Sequence, residues 1–181
     1  MVVRYFLLIS ICFILFWSCA DQKLSLTQSV ISSSLKLDGF YYVKSKQPVN
    51  SIYREVDTYY IVFYYKNGVS FDIGTATKKE FGELDSFIRR KAIELRDEKT
   101  NWGLYQTNSN KIICEGWNTS IGGGLPKWRA EGYIPNDSTI IFNKNIVYDN
   151  KWFPKVKEGY ESANHFYKFS PKPDSTNDFT R

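Results

Sequence analysis

The chain has 181 residues, a length that suits one folded domain. Its 24 Lys and Arg residues exceed its 19 Asp and Glu residues by only five, which argues against nucleic-acid binding, since that function needs a concentrated basic surface. Aromatic residues make up 17% of the chain and favour a β-rich fold, because their rings suit pleated surfaces. With one histidine and three cysteines, a Cys/His zinc site is not expected, and we predict no metal and no cofactor.

The first residues have the three parts of a secretory signal. Arg4 supplies a positive charge, residues 5–17 form an apolar run, and Ser18 is a small residue before Cys19. The run is shorter than the about 20 apolar residues that a membrane-spanning helix needs, and polar residues follow closely. We therefore predict that residues 1–18 are a signal peptide that is removed.

The end of this signal carries a second pattern. The segment Phe16-Trp17-Ser18-Cys19 resembles the lipobox of bacterial lipoproteins, in which a cysteine thiol receives a diacylglyceryl group before cleavage. The resemblance implies that Cys19 is the lipid-attachment site and that acyl chains anchor the protein to a membrane. Ala20 is typical of outer-membrane lipoproteins of this kind, so we expect that membrane, with the leaflet left open. The alternative is an ordinary signal peptide with an incidental cysteine.

The rest of the chain divides into three parts. Residues 19–36 are polar and serine-rich and predict a flexible tether, residues 37–170 predict the folded domain, and residues 171–181 predict a loose C-terminal tail. Within the domain, short aromatic and β-branched runs are bounded by turn residues, which is typical of antiparallel sheet. The predicted strands are 39–44, 58–66, 69–73, 101–107, 111–117, 127–134, 139–143 and 165–170.

One amphipathic helix is predicted after the third strand. Thr77 and Glu80 match a capping box, in which a hydroxyl and a carboxylate satisfy free amides at a helix start. Apolar residues then recur at helical spacing, so the sequence predicts a helix over residues 78–97. The second strand, residues 58–66, is apolar on both faces, and we expect the helix to cover its outer face.

Eight antiparallel strands joined mostly by short turns favour an up-and-down barrel. The segments Gly39-Phe40-Tyr41, Trp102-Gly103-Leu104-Tyr105 and Ile112-Ile113-Cys114-Glu115-Gly116-Trp117, with Gly132-Tyr133-Ile134-Pro135, look like those of the lipocalin-like lipoproteins of Gram-negative envelopes. What this resemblance implies is a β-barrel with a binding or envelope role.

The preferred hypothesis is a barrel that binds a small apolar or amphipathic ligand. Aromatic rings supply apolar area and a few polar tips supply orientation in such sites. The residues predicted to line the barrel interior or its mouth are Tyr42, Phe63, Tyr65, Trp117, Trp128 and Phe142. The competing interpretation is that these rings simply fill a solid barrel, as they do in small barrels of this kind.

Two other hypotheses stay open. In the first, the protein is an interaction or assembly module with a packed barrel and an exposed aromatic patch. In the second, it is a hydrolase that uses His165 or the carboxylates Glu115 and Glu131. No nucleophile partner for His165 is identifiable, so we predict no catalytic residue and no enzyme. Cys114 is interpreted as a buried small apolar residue rather than a reactive thiol.

Overall fold

The computed structural model describes residues 21–30, 35–49, 54–119, 124–148 and 155–181. The described residues form a closed antiparallel barrel of eight strands in sequential order. The strands are β1 (Gly39–Val49), β2 (Arg54–Tyr64), β3 (Val69–Thr77), β4 (Trp102–Asn108), β5 (Lys111–Trp117), β6 (Lys127–Asn136), β7 (Thr139–Val147) and β8 (Lys155–Lys168). The predicted fold class, an up-and-down barrel, is confirmed.

Pairing of the first and last strands closes the ring. Gly39 pairs with Lys168, and the register continues to Tyr42, which lies opposite His165. This pairing joins the two end strands of the sheet over residues 39–42 of β1 and 165–168 of β8. The signal and lipid-attachment predictions, residues 1–18 and Cys19, lie outside the described residues.

Turn chemistry fixes the hairpins at one end of the barrel. Between β2 and β3, the Gly68 amide donates to the Tyr65 carbonyl at 3.0 Å, and Gly68 has a φ of 80°, which glycine adopts without strain. The Asn67-Gly68 pair between the predicted strands 58–66 and 69–73 therefore forms the tight turn that such a pair favours. The β4–β5 and β6–β7 turns lie at the same end, which we call the closed end. The opposite end, where β3 ends and β4 begins, is called the helix end.

The predicted helix is present but broken. It consists of α1 (Lys78–Gly82) and α2 (Leu84–Leu95), which are separated by the non-helical Glu83. The capping box is formed, since the Glu80 amide donates to the Thr77 hydroxyl and the Glu80 carboxylate accepts from the Thr77 amide. Gly82 explains the break, because glycine costs about 1 kcal/mol in a helix relative to alanine. Of the helices within the described ranges, none has the length and apolar character needed to span a bilayer.

Alternation along the strands gives the barrel two apolar layers. An inner cluster lies inside the ring, and its buried members are Leu35, Tyr41, Tyr64, Tyr105, Ile112, Cys114, Ala130, Ile134, Ile140 and Phe142. An outer cluster lies between the barrel wall and the helices, and its buried members are Phe40, Ile61, Phe63, Tyr65, Val69, Phe71, Ile73, Ala76, Phe87, Ile88, Trp102 and Leu104. The helices thus cover the outer face of β2, as the sequence predicts.

The segment predicted to be a flexible tether differs from that expectation where the structure describes it. Residues 21–30, which we call the N-terminal strap, lie along the outside of the barrel. The Trp117 indole donates to the Gln22 carbonyl at 2.7 Å, and the Ser25 and Leu26 amides donate to the Glu115 carboxylate at 2.6 and 3.0 Å. Leu24 and Leu26 pack against the outer cluster, and the burial of their apolar side chains stabilises the docked strap.

The C-terminal tail also differs from the loose end that was expected. The Lys172 ammonium donates to the Leu37 and Tyr64 carbonyls at 2.9 and 2.7 Å, and the Tyr65 hydroxyl donates to the Pro173 carbonyl at 2.9 Å. Phe179 packs against the outer cluster. The tail is therefore an ordered part of the domain, and it supports the barrel at its closed end.

Candidate ligand-binding site

The barrel encloses a cavity of about 340 Å³. It extends to the helix end, where Thr100, Asn101 and Asn118 are among the residues that line it. Toward the closed end the barrel is filled by the buried side chains of Tyr41, Tyr105 and other members of the inner cluster. The site is thus a pocket with a floor and a polar rim, at the small end of the about 300–1,000 Å³ that ligand pockets usually have.

The walls of the cavity are mostly apolar. Residues from all eight strands contribute to them, and the apolar residues that line the cavity include Val43, Val62, Trp128, Ala130, Phe142 and Val147. Such walls offer favourable burial to a hydrophobic group, about 25 cal/mol for each Å² removed from water.

Asp72 on β3 places a carboxyl group in this apolar surrounding. Tyr60 of β2 donates its hydroxyl to Asp72 Oδ2, and the Gly74 amide donates to Asp72 Oδ1 at 2.6 Å. The second bond is possible because the β2–β3 register shifts after Ile61 and Gly74 has a φ of 81°. Burial raises the pKa of Asp72 from its ordinary value of 3.8 to about 6, against the opposing effect of the two hydrogen bonds.

The charged groups near this carboxyl group decide its protonation state. The described residues that line the cavity include no Lys, Arg or His. The ionisable neighbours from other elements are the phenols Tyr60 and Tyr64 and the thiol Cys114, and burial raises the pKa of all three groups. These neighbours are neutral at physiological pH, so Asp72 is the one ionised group among the lining residues that the structure describes.

The wall opposite Asp72 carries a second polar group. Asn145 lies on β7, four strands away from β3 in the ring of eight. Its side-chain oxygen is buried and has no hydrogen-bond partner among the residues that the structure describes. A buried oxygen without a donor costs about 1–3 kcal/mol, so this atom is available to accept a hydrogen bond from a ligand.

The structure separates the six predicted ligand-binding residues into two groups. Trp128 and Phe142 line the cavity, and Trp117 lies at its rim. The expectation for Tyr42, Phe63 and Tyr65 is wrong, because all three belong to the outer cluster beneath the helices and the tail. The cause is the two-residue period of a strand, since residues on either side of an inward-facing position point outward.

The residues that sequence reasoning missed are Asp72 and Tyr60. A usable signal exists in β3, where Val69, Phe71 and Ile73 alternate with Ser70 and Asp72. The helices bury the apolar set of this strand on the outside of the barrel, so the polar set points inward. In a strand that a helix covers from outside, the apolar side chains therefore face outward and the polar ones face the barrel interior, which is the reverse of the usual pattern.

Cys114 is buried as the sequence analysis predicts, with 2% of its surface exposed. Its thiol lies 3.9 Å from the Tyr64 hydroxyl. Burial raises the pKa of this thiol to about 12, so the reactive thiolate is scarce at neutral pH. The side chain acts as a small part of the cavity wall.

The geometry does not assemble the hydrolase residues. Arg129 bridges the two carboxylates that were considered, since its Nε lies 2.8 Å from Glu131 and its Nη1 lies 3.4 Å from Glu115 on the outside of the barrel. His165 is exposed, and its ring packs beside Tyr42 with centroids 6.1 Å apart. Within the described residues, no three His, Cys, Asp or Glu side chains are grouped so that they could hold a metal ion.

No protein-family model, curated protein or solved structure matches this chain. The site is therefore described from its geometry and its chemistry alone.

Proposed function

We propose that this protein is a lipid-anchored envelope protein whose barrel binds a small amphipathic ligand. The observation that carries the proposal is the cavity, which combines mostly apolar walls with polar groups that include Asp72 and the Asn145 side-chain oxygen. An interior built only for stability would be filled, because voids lose packing contacts. The competing assembly-module hypothesis expects a packed barrel, and the cavity favours ligand binding over it.

The N-terminal strap supports a link between the anchor and the cavity. Asp21 and Gln22 bind the helix end of the barrel, where the Gln22 amide donates to the Leu125 carbonyl at 3.0 Å and Lys99 lies 2.7 Å from Asp21. An extended chain spans at most about 3.6 Å per residue. An acylated Cys19, two residues before Asp21, would therefore lie within about 7 Å of it. The anchor would hold the rim of the cavity close to the membrane surface, so that ligand could enter from the bilayer.

The binding test uses a substitution that fills the cavity. Ala130→Phe adds a ring inside the barrel, and the matched control Ala163→Phe adds the same ring on the partly exposed outer face of β8. The probe is N-phenyl-1-naphthylamine, a neutral fluorophore that brightens in apolar pockets. We expect the wild-type protein and the control to bind it and Ala130→Phe to bind it at least about tenfold more weakly, a loss of about 1.4 kcal/mol.

Equal binding by all three proteins would contradict a ligand site inside the barrel. If Ala130→Phe does not fold, Ala130→Leu provides a smaller intrusion for the same comparison. Native mass spectrometry of protein purified from its own membrane adds a direct search for a co-purified small molecule.

The anchor is tested separately. We expect Cys19→Ala to leave the membrane fraction, whereas the control Cys12→Ala, within the predicted signal, keeps the protein there. Retention of Cys19→Ala in the membrane fraction would contradict lipid attachment at this residue and leave the binding proposal standing.

A further inference from the structure

The cavity contains a partly buried carboxylate, Asp72, and the described residues that line it include no Lys, Arg or His. Asp72 has two hydrogen-bond donors, the Tyr60 hydroxyl and the Gly74 amide, and both of them are neutral. Two carboxylates outside the cavity do have cationic neighbours, since Glu115 lies beside Arg129 and Asp57 beside Lys44. A buried ion without a counter-ion is costly, so Asp72 is the point in the cavity at which a bound cation gains the most.

The groups around Asp72 define what such a cation would look like. The cavity supplies acceptors, namely the Asp72 carboxylate on β3 and the Asn145 side-chain oxygen on the opposite wall. It also supplies an aromatic and aliphatic surface from β6 and β7, where Trp128 and Phe142 lie across the barrel from Asp72. A ligand that matches both sides has a hydrogen-bond-donating cationic end and an apolar body.

We infer that the ligand is a small amphipathic amine, whose protonated nitrogen binds the Asp72 carboxylate while its apolar body contacts Trp128 and Phe142. The inference rests on the proposed ligand-binding function and adds the chemical class of the ligand. It disfavours anionic ligands such as free fatty acids, since their carboxylate would enter a cavity that already holds a negative charge and offers no cation among the described lining residues.

The test compares three probes that share a phenylethyl or benzyl body and differ in charge. They are 2-phenylethylamine, which is cationic at pH 8, 2-phenylethanol, which is neutral, and phenylacetate, which is anionic. Their binding to the purified protein is measured by isothermal titration calorimetry. We expect the amine to bind at least about tenfold more tightly than the alcohol and phenylacetate to bind most weakly, because a charge-assisted hydrogen bond is about twice as strong as a neutral one.

Two variants test whether the Asp72 carboxylate itself causes the preference for the amine. Asp72→Asn keeps the shape and one acceptor oxygen, replaces the other oxygen with an NH2 group and removes the charge. We expect it to lose the preference for the amine while it still binds the alcohol. The matched control is Asp57→Asn on β2, whose carboxylate lies outside the cavity and pairs with Lys44 at 2.8 Å. This variant should retain the full preference for the amine.

A change of pH gives a test without mutation. The ionisable side chains that face Asp72 from the other strands are Tyr60, Tyr64 and Cys114, which stay neutral between pH 5 and pH 8. Protonation of Asp72 below its raised pKa should therefore weaken binding of the amine at pH 5 and leave binding of the alcohol unchanged.

The possible outcomes distinguish the two proposals. If the alcohol binds as tightly as the amine, or phenylacetate binds best, the amine inference is overturned and the ligand-binding function stands. If none of the three probes binds and Ala130→Phe changes nothing with the naphthylamine probe, both proposals fail. Loss of the amine preference in Asp72→Asn but not in Asp57→Asn supports the inference.

Discussion

Replacement of Asp72 by Asn should stabilise the empty protein at neutral pH. In the folded chain burial raises the pKa of this carboxyl from 3.8 to about 6, so the folded state binds a proton more tightly than the unfolded state does. A carboxyl group whose pKa is raised by folding contributes fully to stability when the pH is below its pKa in the unfolded state. This contribution is lost as the pH rises through its pKa in the folded state. At pH 7 the ionised Asp72 therefore opposes folding.

The magnitude follows from the two pKa values. At about 1.36 kcal/mol per pH unit, the difference between 3.8 and about 6 corresponds to about 3 kcal/mol at pH 7 and above. Water in the cavity screens the charge and makes this figure an upper bound. Asn keeps an oxygen for the Gly74 amide and a polar group for Tyr60, so few other interactions change.

The assay is equilibrium unfolding in urea between pH 4 and pH 8 for the wild type and Asp72→Asn. We expect the variant to gain up to about 3 kcal/mol at pH 7.5 and less than about 1 kcal/mol at pH 4. Asp57→Asn is a control of opposite sign, because the hydrogen bond from Lys44 lowers the pKa of Asp57 and its contribution is lost as the pH falls. A less stable Asp72→Asn at pH 7.5, or a difference that does not change with pH, would refute the reasoning.

Three further predictions concern Glu115, which binds the strap, Lys172 in the tail, and the buried thiol of Cys114. Glu115→Gln should lower the free energy of unfolding by about 1–3 kcal/mol and speed hydrogen exchange at the Ser25 and Leu26 amides, because the fully buried carboxylate accepts from both amides. Its control is Glu131→Gln, since Glu131 also contacts Arg129 but does not contact the strap, and this variant should leave the exchange unchanged. Lys172→Met should cost about 1–3 kcal/mol in urea unfolding because two carbonyls lose their donor, and Lys168→Met, at an exposed lysine, should cost much less. Cys114 should resist iodoacetamide at pH 8 in the folded protein and react after unfolding, as mapped by mass spectrometry, since burial raises the pKa of its thiol; labelling at equal rates would contradict this.

Local chemistry in the sequence was sufficient to predict the elements. The tight turn at Asn67-Gly68 and the capping box at Thr77 and Glu80 are read from residues close together in the chain, and both are present. The sequence of β6 also alternates, with Lys127 and Arg129 on one face and Trp128 and Ala130 on the other, and the latter two line the cavity. These features depend on short-range geometry, which a single sequence contains.

The faces of β2 and the roles of both chain ends were not readable in the same way. Residues 59–65 are apolar at every position, so hydrophobicity cannot tell that Val62 and Tyr64 face inward and Phe63 outward. The strap docks through Leu24 and Leu26, which alternate with polar residues, but the partner that selects their face is Glu115, about 90 residues away. Contacts across such separations are set by the closed ring.

Under the proposed amine binding, Asp72 would couple the stability of the barrel to its occupancy. A ligand that binds only the folded state adds about 2.7 kcal/mol at 100 times its dissociation constant. An amine would do so by supplying the cation that the empty cavity lacks, so its stabilising effect should be larger at pH 8, where Asp72 is ionised, than at pH 5. In Asp72→Asn the empty barrel is already relieved of the charge, and the same amine should add little. The proposed amine would then account for a carboxylate that weakens the fold, since a neutral residue of the same shape would stabilise the fold more.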